Sequence, residues 1–512
     1  EVVAGAQQNP IILASDGRIN LIAVRSAGEV VLGNDSFLND PQLVGFEQMG
    51  TITLTNATLQ VTPTTPSGFN SGTVFIRGGK VVFSGGAIFA NFIPQELGPY
   101  TGIGKVTIQG GEGLSDGVTL SGTRISAQNF GTGPAGVGSS TTPPVSISGR
   151  SVQFLNGAGI LSSNNNEQTA GSITISATDL VKLSGAGTSL ISNANSSGPA
   201  GDITISASRI LIEDGAKIST DTSGDIRFRM TGQNTGFLEG GGKAGDIRLN
   251  VDVLDITTAG RVSSTTSAIG LPTEPTLSTT RGSITIGGYT APSATRVSIS
   301  GAGSGLFTES TGNQLGGNIT IQTHELAMTN GGLISARTAS NAATADGGAI
   351  NITIPVSSLI PNNQLLLNSG ASITTSSLAQ LTASSPVTTA SGDAGFISLS
   401  APTITLNGPA TKIAAITEGI GNAGLVTLNV NELTMNNLSQ IVGSSESQNS
   451  TAGIAGRINI RGGPTADGTG NIPSSRITLD NSTINTTIDG GISSTTPATI
   501  DITAQTVNLT NG

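Results

Sequence analysis

GDITISASRILIEDGAKIST, residues 201–220, carries the fold of this chain in miniature. Ile203 and Ile205 alternate with polar neighbours, as in a strand with one buried face. Five residues after Ile205 a second apolar pair begins, Ile210 and Ile212. Six residues after Ile212 comes a single apolar residue, Ile218. Three short strands joined by fixed corners produce this spacing.

The opening motif recurs: a Gly, a small or polar residue, then apolar-x-apolar. It reads GSITI at Gly171, GDIRL at Gly245, GSITI at Gly282 and GNITI at Gly317, then GFISL at Gly395, GLVTL at Gly424 and GRINI at Gly456. The five-residue step follows it in four more repeats: Leu249 to Leu254 and Ile256, Ile321 to Leu326 and Met328, Leu399 to Ile404 and Leu406, Leu428 to Leu433 and Met435. The third-strand residue follows at Val262, Ile334 and Ile441, and one position later at Ile413. From there to the next motif the distance varies, so two corners are expected to be tight and one to carry variable loops.

This pattern predicts an all-β, right-handed parallel β-helix with three strands per coil. Ile203, Ile205, Ile210, Ile212 and Ile218 face inward, and equivalent residues of successive coils stack about 4.8 Å apart. Two positions past the third-strand residue stand Thr220, Ser264, Ala336, Thr375, Ala415 and Gly443, all small, as a cramped inward corner requires. Residues 1–170 are less regular. GTVFIRGGKVVFSGGAIFANF from Gly72 reads as one coil, while GKVTI at Gly104 and PVSIS at Pro144 start others. Residues 171–512 carry the regular repeat, continuous with the first part. Roughly 14–15 coils would extend roughly 70 Å at the strand spacing.

Composition agrees. Gly is 72 of 512, about twice the ordinary share, and charged residues are 11%, under half of it. Gly and Pro interrupt every window in which a 3.6-residue apolar stripe could run. The net charge of −10 comes without a basic stripe, which excludes a nucleic-acid binder. Cysteine is absent, so there is neither a disulfide framework nor a thiolate metal site, and export through an oxidising compartment is compatible. No run of about 18 apolar residues marks a transmembrane helix. The chain starts at Glu1 and shows no signal peptide, so its N-terminus is read as processed.

FIRGG at Phe75, AIFANF at Ala87, SGLFTES at Ser304 and NGGLISART at Asn330 resemble the repeats of the filamentous haemagglutinin family. These are large bacterial exoproteins exported by two-partner secretion, and the resemblance covers nearly the whole chain. It implies export across an outer membrane and a role in adhesion, biofilm or surface coating. Members carry an Asn-Pro-Asn-Gly-Ile motif in a secretion domain; here only Asn9-Pro10 occurs.

A β-helix can also cut polysaccharides, which calls for clustered carboxylates and a nearby cation. The densest acidic group is Glu213, Asp214, Asp221 and Asp225. Glu213-Asp214-Gly215 fits ordinary turn chemistry. His324 is the only histidine, which rules out triads and His-based zinc sites. No calcium nonapeptide occurs, and Gly240-Gly241-Gly242 before Lys243 reads as loop. Asn318 and Asn351 head Asn-x-Thr triplets within strands, so pattern explains them better than glycosylation. The residues flanking the third-strand apolar position are expected to face out: Ser219/Asp221, Ser263/Thr265, Ser335/Arg337, Thr374/Ser376, Ala414/Ile416 and Val442/Ser444. They form no threonine ladder of the kind that binds ice or crystalline sugar.

No catalytic, cofactor-binding or metal residue is therefore assigned, although a loosely bound calcium ion stays compatible. The expectation is a non-enzymatic structural or adhesive segment at the cell surface or outside it. The alternative is a polysaccharide lyase or hydrolase, or a glycan-binding module, using the long inserts at 220–244 and 376–394. ATIDITAQTVNLTNG, which ends at Gly512, lacks a third strand. Continuation of the chain, or end-to-end self-association into fibres, is expected there.

Overall fold

The computed structural model describes residues 9–15, 17–32, 40–62, 72–91, 104–129, 144–164, 169–195, 198–222, 242–267, 281–311, 315–339, 346–356, 363–378, 392–418, 421–446, 453–463, 471–488 and 498–511. Among these the regular elements are strands, and no helix occurs. The chain forms two compact units, one of residues 1–211 and 215–219, the other of 212–214 and 220–512.

Both units are parallel β-helices. In the first, short strands stack with Ile12 over Leu59, Ile88, Ile125, Ile160 and Leu190. The opposite wall stacks Ile19, Val74, Val106, Val145 and Ile173. A third column runs through Leu54, Phe83, Leu120, Phe154 and Leu183. The second unit repeats the plan: Val262, Leu306, Ile334, Ile373, Ile413, Ile441 and Ile484 form one column. Ile247, Ile284, Ile319, Ile350, Ile397, Val426 and Ile458 form the facing one. The expected inward residues are all sealed: Ile203, Ile205, Ile210, Ile212 and Ile218 have no exposed surface. Fourteen short third-wall strands occur among the described residues, within one of the expected coil count.

Two expectations change. The first and second strands of the regular coils are one bent strand, not two strands around a tight corner, as in Ile203–Glu213, Ile247–Thr257, Ile397–Asn407 and Leu425–Asn436. The five-residue step is a kink: an additional inward residue (Ala207, Val251, Ala401 or Val430) precedes two consecutive residues that are not buried, which shifts the alternation by one. Nor is only one corner variable. The kink opens into a gap between Ser283–Gly287 and Ala294–Ser300, and between Arg457–Arg461 and Ser474–Asp480. In the former, the Asp252 carboxylate accepts from the amides of Tyr289 and Thr290 at 3.1 and 3.0 Å and ties the insert down.

The second corner is tight, and its residues explain it. Asp214-Gly215, Asn330-Gly331 and Asn156-Gly157 all sit at positive φ, the left-handed region that Asn, Asp and Gly tolerate best. A buried hydroxyl closes several of these corners. Thr411 Oγ1 donates to Asn407 O at 3.0 Å and accepts from Gly370 N of the preceding coil at 2.9 Å.

The motif glycine has a different cause. A Cβ on Gly395 would lie 1.9 Å from Gly348 O, one on Gly424 1.8 Å from Gly395 O, and one on Gly348 1.7 Å from Gly317 O. These glycines stack so closely that no side chain fits between coils. Gly348 belongs to the column although GAINI escaped the motif list. Facing the column are the small third-strand residues. Thr220 Oγ1 donates to Gly245 O at 2.7 Å, and Thr375 Oγ1 to Gly395 O at 2.9 Å. The cramped corner is thus a hydrogen-bonded one. The flanking positions are open only in part: Ser219, Ser263, Ser335, Ala414, Val442 and Ser444 are buried, while Asp221, Thr265, Arg337, Thr374, Ser376 and Ile416 keep partial solvent contact.

Candidate functional site

On the wall that carries Val74 and Val106, the first unit loses the inside–outside alternation at two adjacent strands, Thr73–Arg77 and Val106–Gln109. In the strand Thr73–Arg77, Val74 and Ile76 point inward, yet Thr73 before them and Phe75 between them are also buried, at 0% and 2% exposure. Thr107 of the next coil shares the outward row with Phe75 and is buried as well. The strands Glu29–Val31 and Gln42–Val44 pair antiparallel, as do Val24 and Met49, in the segment between the strand Arg18–Ile22 and Gly50. Between that segment and the outer face of the coils lies a cleft of about 750 Å³.

Three elements build the cleft. Arg77 and Gln109 are register partners on adjacent coils and supply its base with Phe75. The loop after Gln109 brings Glu112 and Asp116 to one side. Residues 40–49 supply the other side, with Phe46 packed on Gly28 so closely that a Cβ there would meet its ring at 2.5 Å. Lys105 pairs with Asp40 across 3.1 Å, linking that side to the coil wall.

The Arg77 guanidinium donates to Gly110 O. Burial pushes its pKa below the ordinary arginine value, while the carboxylates of Glu112 and Asp116 pull it back up. Both carboxylates have structural work. Asp116 Oδ2 accepts from Gly113 N at 3.1 Å, and Glu112 Oε2 accepts from Thr178 Oγ1 at 2.7 Å. Glycine is needed beside Asp116, because a Cβ on Gly111 would stand 2.4 Å from its Oδ2. Among the described residues no group of three His, Asp or Glu side chains is placed to hold a metal ion.

The residues singled out in the sequence lie elsewhere. Asp214 is a turn residue whose Oδ1 accepts from Thr258 Oγ1 at 3.0 Å, and Asp225 lies outside the described residues. His324 is half-buried at a kink, with Nδ1 3.1 Å from Asn363 Oδ1. Asn318 Oδ1 accepts from Ala349 N at 3.0 Å and clips one coil to the next. Of the inserts at 220–244 and 376–394, residues 223–241 and 379–391 lie outside the described residues, as do Gly240 and Gly241. The second unit holds a smaller hollow of about 390 Å³, bordered by Gly424 and Gly456 of the glycine column, with Arg457 as its charged lining residue. No helix among the described residues is long and apolar enough to cross a membrane.

The cleft residues were missed because stacking, not sequence proximity, brings them together. One signal was present: Val74-Phe75-Ile76 places a large apolar residue at an outward position. A comparison of the chain with family models, curated proteins and solved structures returns no match.

Proposed function

We propose that this chain is a section of a non-enzymatic structural or adhesive protein, displayed on or released from a bacterial surface, of the kind the filamentous haemagglutinin-like exoproteins exemplify. The observation that carries the reading is the economy of the coils. Side chains inside are spent on apolar columns and corner hydroxyls, and coil-to-coil backbone bonds run along the stacking direction in each unit. Stiffness then needs no disulfide, cofactor or metal. Electron microscopy of the native material tests this: fibres of near-constant width support it, and isolated globular particles oppose it.

The second reading is a carbohydrate-active or glycan-binding protein. The cleft beside Arg77 favours it over the long inserts, since it holds carboxylates and a half-buried cation in one place. Incubation with neutral and acidic polysaccharides, with and without calcium, separates cleavage from binding. Shortened chains would retire the non-enzymatic reading.

A further inference from the structure

We propose that the cleft between residues 40–49 and the outer face of the coils at Arg77 and Gln109 binds a short uncharged oligosaccharide. Three observations support a ligand there. Phe75 and Thr107, outward-row residues of adjacent coils, are buried on this face, and Phe75 lines the cleft. Its volume, about 750 Å³, falls in the usual range for small-ligand sites. Its lining mixes donors with acceptors: the guanidiniums of Arg25 and Arg77, the amides of Gln48 and Gln109, and the carboxylates of Glu47 and Glu112.

The lining selects the ligand class. Two guanidiniums, with Lys105 paired to Asp40, stand against four carboxylates (Asp40, Glu47, Glu112 and Asp116), a formal balance of 3 − 4 = −1. That disfavours phosphate, sulfate and uronate groups. A lysine-rich peptide would meet the carboxylates but also Arg25 and Arg77. An apolar ligand would strand the polar side chains. Sugar hydroxyls both donate and accept, so they can satisfy both halves of the lining, and the Phe46 ring offers an apolar face. The inference is independent of the scaffold reading, because the coils stack the same way whether or not the cleft is occupied.

The test uses the full chain. An array of neutral hexose and N-acetylhexosamine oligosaccharides, uronate-containing and sulfated oligosaccharides, and a lysine-rich peptide is probed first. Neutral hits are then titrated by calorimetry against wild type, Arg77→Gln and Gln109→Ala. Gln109 is half-buried and outside the apolar columns, so its variant keeps the fold if Arg77→Gln does not. Loss of one hydrogen-bonding partner weakens binding by about tenfold in each variant. Thr427→Ala, on the outer face of the second unit, binds like wild type. Absence of any neutral hit, preference for the acidic glycans or the peptide, or wild-type affinity in Gln109→Ala would overturn the proposal.

Discussion

The coils at 73–129 and those at 397–446 follow the same plan, yet the strands Thr73–Arg77 on one side and Ile397–Asn407 and Leu425–Asn436 on the other treat their outer faces differently. In Ile397–Asn407 and Leu425–Asn436 alternate residues are buried and the residues between them stay in contact with solvent. In Thr73–Arg77 the alternation is lost, and four consecutive residues are buried. The regular coils show what the repeat needs in order to stack. The early coils show what an additional segment does when it folds back over them: it makes a cleft with side chains the stacking does not require.

The comparison can be broken at its stacking end first. Gly395→Val forces side-chain atoms into the 1.9 Å gap before Gly348 O, and strain of this kind costs about 3 kcal/mol or more. A large fall in the urea midpoint of the second unit is expected. Gly463→Ala, with nothing within 4 Å of the added Cβ, leaves it nearly unchanged. Equal effects from the two would remove the column argument. Ile404→Ala opens a cavity in a fully buried column and costs about 2–5 kcal/mol, read by the same denaturation.

Finer contrasts lie within one strand, Ser372–Ser377. Thr375 donates to Gly395 O, so Thr375→Val strands a buried carbonyl and costs about 1–2 kcal/mol. Ser377, two residues on, is equally buried, but its hydroxyl finds no partner. Ser377→Ala is therefore expected to be neutral or slightly stabilising, by up to about 1 kcal/mol. The reverse order would show that the buried hydroxyls are satisfied differently. Smallest of all, Arg337→Ala removes an ion pair with Glu309 on a partly exposed face and shifts stability by under about 1 kcal/mol.

What the sequence disclosed follows from the same physics. Period two and the five- and six-residue steps located Ile203, Ile205, Ile210, Ile212 and Ile218, because burial acts on each position separately, but not Ala207 at the kink. The kink was misread as a corner because a bent strand and two strands around a turn leave the same apolar spacing. Flanking positions such as Ser219 and Ser263 alternate with inward residues as expected yet are buried, since parity says nothing about what covers a face. Glu112 and Thr178 are 66 residues apart, and only stacking joins them. The cleft therefore had no local signature beyond Phe75.

The central claim, that recognition is confined to the covered coils while the regular ones serve as scaffold, is tested most directly by hydrogen exchange read by mass spectrometry. The full chain is measured with and without saturating neutral oligosaccharide. The account predicts slower exchange in peptides covering 40–49, 73–77 and 109–116, and no change across 397–436. Protection gained within 397–436, or none in the cleft peptides, would contradict it.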